Sequence, residues 1–237
     1  MTTLQARPDT WREHRFHAMG CEMSVWLDTA ANDLADADTA VAFAEVEALF
    51  ATYEQALSRF RPDSDLSLLN AGAGNWMPVS KLLWDVLHAA LEMAVATDGL
   101  YDPALLTAVT AAGYVDSFEH LPVLSFAGGP VSTVTAGCWW DIALDEARRA
   151  VRLPVGVGLD LGGVAKGYTA QMALARLQTW GPGLVDAGGD LVVGAAPAGY
   201  PGWPIAIGAP WTDAAHTPED LLTLWLAETA VATSGTD

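Results

Sequence analysis

Two stretches of this chain carry apolar residues at helical spacing, and a series of short β-branched runs follows them. That order limits the possible folds more than any other feature. Over residues 36–57, Val41, Ala44, Val46, Ala48, Leu49 and Tyr53 recur at mostly three- and four-residue steps, with Glu45, Glu47 and Glu54 between them. Over residues 81–96, Leu83, Val86, Leu87, Ala90, Leu91 and Val95 do the same. Such periodicity places one apolar face along a helix that packs on a core. Ser80 suits the N-cap of the second helix, and Gly99 suits its C′ position after Thr97-Asp98. Between the two, Ser64 or Asp65 is expected to cap a short helix through Leu69, broken by Asn70, Gly72 and Gly74. Asp102-Pro103 is expected to open another, with Pro103 at the first helical position, running to about Ala112.

The N-terminal run 15–27 reads as a strand interrupted at Gly20. The second half reads as strands over 131–136, 139–144, 150–153, 158–161, 184–187, 191–193, 203–207 and 222–227. One helix intervenes over about 164–179, and Gly188-Gly189-Asp190 reads as a hairpin turn. Helices first and mostly strands afterwards predict an α+β fold, with a mixed or antiparallel sheet flanked by helices, in a single domain over 1–237. The stretch 116–130, with Pro122, Gly128, Gly129 and Pro130, reads as an exposed excursion.

Composition removes several function classes. The 237 residues are 51% hydrophobic and 17% charged, which excludes a disordered chain. With 29 acidic against 11 basic side chains, a net charge of −18, and only two lysines, Lys81 and Lys166, the chain lacks the footprint of a nucleic-acid binder. Cys21 and Cys138 are far apart and build neither a disulfide framework nor a metal knuckle. No apolar run has the ~18 residues a membrane span needs, and no secretory signal is visible. A soluble, cytoplasmic protein without membrane insertion is expected.

The segment GLDLGGVAKGYTA, 158–170, carries the most chemical information. A strand enters, Gly162 and Gly163 follow, and a helix leaves bearing Lys166. Glycines admit close backbone approach, and a helix start offers unbonded N–H groups and a positive dipole end to an anion. Asp160 can accept hydrogen bonds from a ligand. The same residues also suit a tightly packed strand–helix connection. Asp98 and Asp102 around Gly99-Leu100-Tyr101 are explained equally well by helix capping. Arg59-Phe60-Arg61 suits either a ring-stacking phosphate clamp or a solvated edge. The five histidines are scattered, and no serine-hydrolase elbow is present.

Taken in order, these fragments resemble the ApbE family, the FAD:protein FMN transferases. HAMGCEM at 17–23 resembles the family's N-terminal strand motif, with Cys21 where Thr is usual. LSRFRPDSDLSLLN at 57–70, TDGLYDP at 97–103, LDLGGVAKGY at 159–168, LVDAGGD at 184–190 and ATSGTD at 232–237 resemble its later signatures. The resemblance implies an enzyme that transfers FMN from FAD to a Thr or Ser hydroxyl of an acceptor flavoprotein, releases AMP and requires Mg²⁺. It implies FAD contacts at Met19, Phe60, Leu100, Tyr101, Asp102, Asp160 and Lys166, and a Mg²⁺ contact from the Gly163 carbonyl. An FAD pyrophosphatase, giving FMN and AMP, is the alternative activity, and an inactive flavin-binding fragment the alternative to an enzyme. The family continues into a His-Ile-x-Asp-Pro segment and further metal ligands. The catalytic histidine is therefore expected beyond Asp237, in a sequence truncated at its C-terminus.

Overall fold

The computed structural model describes residues 8–115, 138–208 and 220–233. Five helices, α1 (Asp36–Leu57), α2 (Asp65–Ala71), α3 (Lys81–Ala96), α4 (Leu106–Ala111) and α5 (Gly162–Leu177), accompany ten strands among those residues. The strands are β1 (Trp11–Ala18), β2 (Cys21–Asp28), β3 (Met77–Pro78), β4 (Ala143–Asp145), β5 (Ala150–Arg152), β6 (Gly183–Ala187), β7 (Asp190–Val193), β8 (Trp203–Gly208), β9 (Asp220–Leu226) and β10 (Thr229–Ala232). The α+β expectation holds. The chain divides into two compact units, one of residues 1–17, 21–49 and 169–237, the other of 18–20 and 50–168.

The first unit contains a five-stranded sheet in the order β1-β2-β6-β7-β10 and the β8-β9 hairpin. Pairing of β2 with β6, β6 with β7 and β7 with β10 is antiparallel. Met23, Val25 and Leu27 alternate along β2 and are fully buried, the period-two signature of a sheet with one covered face. Gly183 begins β6 because a Cβ there would lie 2.5 Å from the Leu177 side chain. Trp11, Leu184, Val193 and Trp203 form an apolar cluster in this unit.

The second unit contains the three-stranded sheet β3-β5-β4 and a core built on Leu66, Leu69, Leu83, Leu87, Val151, Leu159 and Leu161. The expected bounds of the two long helices, 36–57 and 81–96, are those observed. Ser80 caps α3 by accepting the Leu83 N–H at 3.1 Å. Ser64, fully buried, caps α2 by accepting the Ser67 N–H at 3.0 Å.

Several sequence expectations require correction. The strand over 15–27 is a hairpin, β1 and β2, turned at Met19-Gly20, where both residues have positive φ (51° and 75°). That is the backbone of a two-residue primed turn, which usually selects Asn or Gly at the first position. Pro103 does not open a helix. Asp102 instead accepts the Ala104 N–H at 2.7 Å, and α4 starts three residues after Pro103. The C′ position after α3 belongs to Asp98 (φ 52°), with Gly99 one residue further. Asp98 N–H reaches Val95 C=O at 3.1 Å and Gly99 N–H reaches Ala94 C=O at 2.8 Å, the paired bonds of a Schellman motif. Residues 139–144 begin with a 3₁₀ turn, Trp139–Asp141, rather than a strand. Residues 158–161 are extended but belong to no sheet, and α5 starts at Gly162 rather than Val164. The short strand β3 had no sequence signal. The expected strand at 131–136 and the excursion at 116–130 lie outside the described residues.

Candidate functional site

Three segments far apart in sequence meet in the second unit. Asn70, at the end of α2, gives its side-chain amide to both backbone groups of Leu159. Its Nδ2 donates to Leu159 C=O at 2.9 Å, and its Oδ1 accepts the Leu159 N–H at 2.7 Å. One residue on, the Asp160 N–H donates to Pro103 C=O at 2.8 Å, and the Leu106 N–H donates to Gly158 C=O at 3.2 Å. An extended segment without a strand partner is thereby satisfied by a side chain and by the turn before α4, as buried backbone must be.

The loop after α1 is pinned by two serines. Ser64 Oγ donates to Ser58 C=O at 2.7 Å, and Ser67 Oγ approaches the Arg59 carbonyl at 3.4 Å. This fixes Arg59, whose side chain is only 8% exposed and whose Nε lies 2.9 Å from Asp160 Oδ2. The Arg59 guanidinium sits 4.2 Å above the Phe60 ring and 4.6 Å from the Tyr114 ring, and its Nη2 donates to Tyr114 C=O at 2.8 Å. Arg59 is neither the solvated edge nor the open phosphate clamp that sequence suggested. It is a cation lying against two aromatic rings that meet edge to face, already matched to a carboxylate.

Asp160 spends its second oxygen on the start of α5, where Oδ1 accepts the Gly162 N–H at 2.8 Å. Tyr101 lies over the same helix start: a Cβ built on Gly163 would come within 3.0 Å of Tyr101 Cε2. The Tyr101 hydroxyl is buried and has no hydrogen-bond partner among the described residues. Burial pushes this phenol well above its ordinary range, with Asp160 and then Asp102 adding to the effect. Leu100, the residue before it, is 94% exposed.

Of the sequence-predicted residues, the fold therefore gathers Phe60, Tyr101, Asp102, Asp160 and Gly163, with Leu100 on the rim. Lys166 stands one turn into α5, on the face of Gly162 and Gly163, and makes no ion pair among the described residues. Met19 belongs to the same unit, but its main chain bonds elsewhere: its N–H donates to Glu54 Oε2 at 2.9 Å. Sequence reading missed Asn70, which it took for a helix breaker, along with Glu54, Tyr114 and Trp139. Trp139 Nε1 lies 3.5 Å from where a Gly99 Cβ would be. Asn70 closes the 57–70 signature, and nothing local in the sequence marks the other three.

The residues suit a flat, hydrogen-bonding anionic ligand: a glycine-lined helix start, an exposed apolar rim and, among the described residues, a lysine with no ion pair and a buried hydroxyl with no partner. They do not by themselves complete a magnesium shell. Among the described residues no group of three or more His, Cys, Asp or Glu side chains gathers to hold a metal. Asp160 is committed to Arg59 and Gly162, and Asp102 to Ala104.

The α+β fold and this helix start are matched by comparison with known proteins. The ApbE family model matches residues 19–237, and the chain belongs to the ApbE family. The fold is similar to the ApbE protein of Thermotoga maritima (24% identity, TM-score 0.78, 95% of this chain and 70% of that one). It is also similar to the Pseudomonas stutzeri flavinyl transferase ApbE in its apo form (22%, 0.74, 95% and 68%). The Vibrio cholerae flavin transferase ApbE gives 21%, 0.76, 96% and 72%. No curated protein matches the sequence. Among the described residues no helix is long and apolar enough to cross a membrane.

Proposed function

We propose that this chain, as one domain over 1–237, is an FAD:protein FMN transferase acting in the cytoplasm. The acceptor hydroxyl of a Thr or Ser attacks the phosphorus of the FMN half of FAD. A phosphoester forms, the pyrophosphate bond to AMP breaks, AMP leaves, and the hydroxyl proton is released. Membership of the ApbE family over residues 19–237 supports the reading. The observation that carries it to particular residues is the contact of Tyr101 with the Gly163 helix start, beside Asp160.

In this reading Phe60, Leu100, Tyr101, Asp102 and Asp160 hold the flavin nucleotide, with Met19 joining them from the β1–β2 turn. Lys166 and the first turn of α5 meet its phosphates. A local cation is needed, because the net charge of −18 repels an anion and screening confines distant charges to about 8 Å. Positioning and electrostatic stabilisation are the protein's contribution to phosphoryl transfer. The magnesium requirement, with a contact from the Gly163 carbonyl, rests on the family resemblance and not on donors among the described residues.

The test is incubation with FAD, Mg²⁺ and an acceptor protein bearing a flavinylation site. Covalent flavin on the acceptor and stoichiometric AMP are expected, both lost on chelation. AMP without acceptor labelling would identify a pyrophosphatase instead, and FAD binding without AMP a flavin-holding protein. Absence of FAD binding would remove the proposal.

A further inference from the structure

We infer that Arg59 is a positioning residue that makes Asp160 a fixed acceptor for an uncharged, donor-bearing edge of the ligand, and that it takes no part in phosphate binding. This rests on the flavin-nucleotide reading of Phe60 and Asp160 given above. A phosphate-binding arginine must present N–H groups to the ligand. Two of the N–H groups of Arg59 are committed, Nε to Asp160 and Nη2 to the Tyr114 carbonyl, and the Phe60 and Tyr114 rings, which meet edge to face, both lie against the guanidinium. Its side chain is 8% exposed, and its charge is matched by the carboxylate 2.9 Å away. A cation so paired adds little net field for an anion.

The same contacts define what Asp160 can do. With Arg59 on Oδ2 and the Gly162 N–H on Oδ1, the carboxylate faces the ligand as an acceptor, oriented by two bonds nearly independent of the ligand. One lone pair remains on each oxygen. An ionised carboxylate rejects phosphate and accepts from imide, amine or hydroxyl groups, such as the heteroaromatic or polyol portions of a flavin nucleotide. Arg59 also stacks on Phe60, so one side chain sets both the acceptor and the ring beside it. The division of labour follows: Asp160 reads the neutral portion, and Lys166 with the start of α5 takes the pyrophosphate.

The experiment measures dissociation constants of the full chain for FAD, by flavin fluorescence, and for inorganic pyrophosphate, by calorimetry, in wild type, R59Q, R59K, D160N and R59Q/D160N. Expected are at least tenfold weaker FAD binding in R59Q and in D160N, and a double variant little worse than either single one. R59K is expected to fall between wild type and R59Q, because lysine restores charge but not the planar fork. Pyrophosphate affinity should stay within twofold throughout. A drop in pyrophosphate affinity in R59Q or R59K, wild-type FAD affinity in R59Q, or fully additive losses would each overturn the inference while leaving the flavin reading intact. Should R59Q not fold, the FAD-against-pyrophosphate split in R59K decides. Failure of the wild type to bind FAD would remove both readings together.

Discussion

The side chain of Asn70 pairs with Leu159 as a neighbouring strand would, donating to its carbonyl at 2.9 Å and accepting its N–H at 2.7 Å across 89 residues of sequence. Leu159 is fully buried, so neither backbone group has water as an alternative. N70A should cost about 2 kcal/mol or more of unfolding free energy, since it strands a buried donor and a buried acceptor together. N70D keeps the acceptor but sets a carboxylate against the Leu159 carbonyl, and should be no better than N70A. Urea denaturation at neutral pH measures both. A loss below about 0.5 kcal/mol, the range of ordinary surface substitutions, would show that this pairing does not hold the segment.

Tyr101 offers the opposite case. Its hydroxyl is buried without a partner among the described residues, so Y101F removes a desolvated group and leaves the ring in place. The variant should gain about 1 kcal/mol of stability. Thermal unfolding checks this, and a stability loss of similar size would mean that the hydroxyl is bonded in the folded protein.

Two glycines of α5 separate the roles of backbone freedom and of space. A Cβ at Gly167 meets nothing within 4 Å, whereas one at Gly163 comes within 3.0 Å of Tyr101. G167A should stabilise by about 0.5–1 kcal/mol through helix propensity alone. G163A should forfeit that gain and weaken FAD binding by displacing Tyr101. Parallel denaturation and FAD titration of the two variants give the comparison, and equal behaviour would dismiss the Tyr101–Gly163 contact as a constraint.

Met19 holds a positive φ that an L residue adopts at a cost of about 1–2 kcal/mol, with its N–H secured by the Glu54 carboxylate. M19G should relieve the strain and raise stability by about 1 kcal/mol. E54A should destabilise the wild type more than it destabilises M19G, because glycine keeps the turn without help. A double-mutant cycle by chemical denaturation tests the coupling; additivity would rule it out.

Glu45 predicts part of the acid response. Hydrogen bonds from Arg176 and Trp180 hold its carboxyl below the usual range. A depressed folded-state value means that the stabilisation is present above the ordinary carboxylate range and is lost as pH falls through the folded value. The stability difference between wild type and E45Q should therefore be largest near neutral pH and shrink toward about pH 3. A difference that stays constant across that range would show no linkage at this site.

The sequence by itself determined the elements whose signals are local. The bounds of α1 and α3, the Ser64 and Ser80 caps and the Gly188-Gly189 turn depend on periodicity and on side chains bonding to backbone a few residues away. The motif residues Phe60, Tyr101, Asp160, Gly163 and Lys166 were legible as candidates for the same reason, since each lies in a short segment of distinctive composition. Only the tertiary structure decided how those segments use one another. Residues 158–161 have strand-like sequence, yet their backbone is satisfied by Asn70 and by the turn after α3 rather than by a sheet. Asp102 and Pro103 look like a helix start, but Pro103 C=O accepts from Asp160 and the helix is delayed. Arg59 looks like a free cation and becomes a buried partner of a carboxylate 101 positions away. Hydrogen-bond and charge satisfaction of buried groups is settled between segments distant in sequence, and no local pattern states which distant partner will arrive.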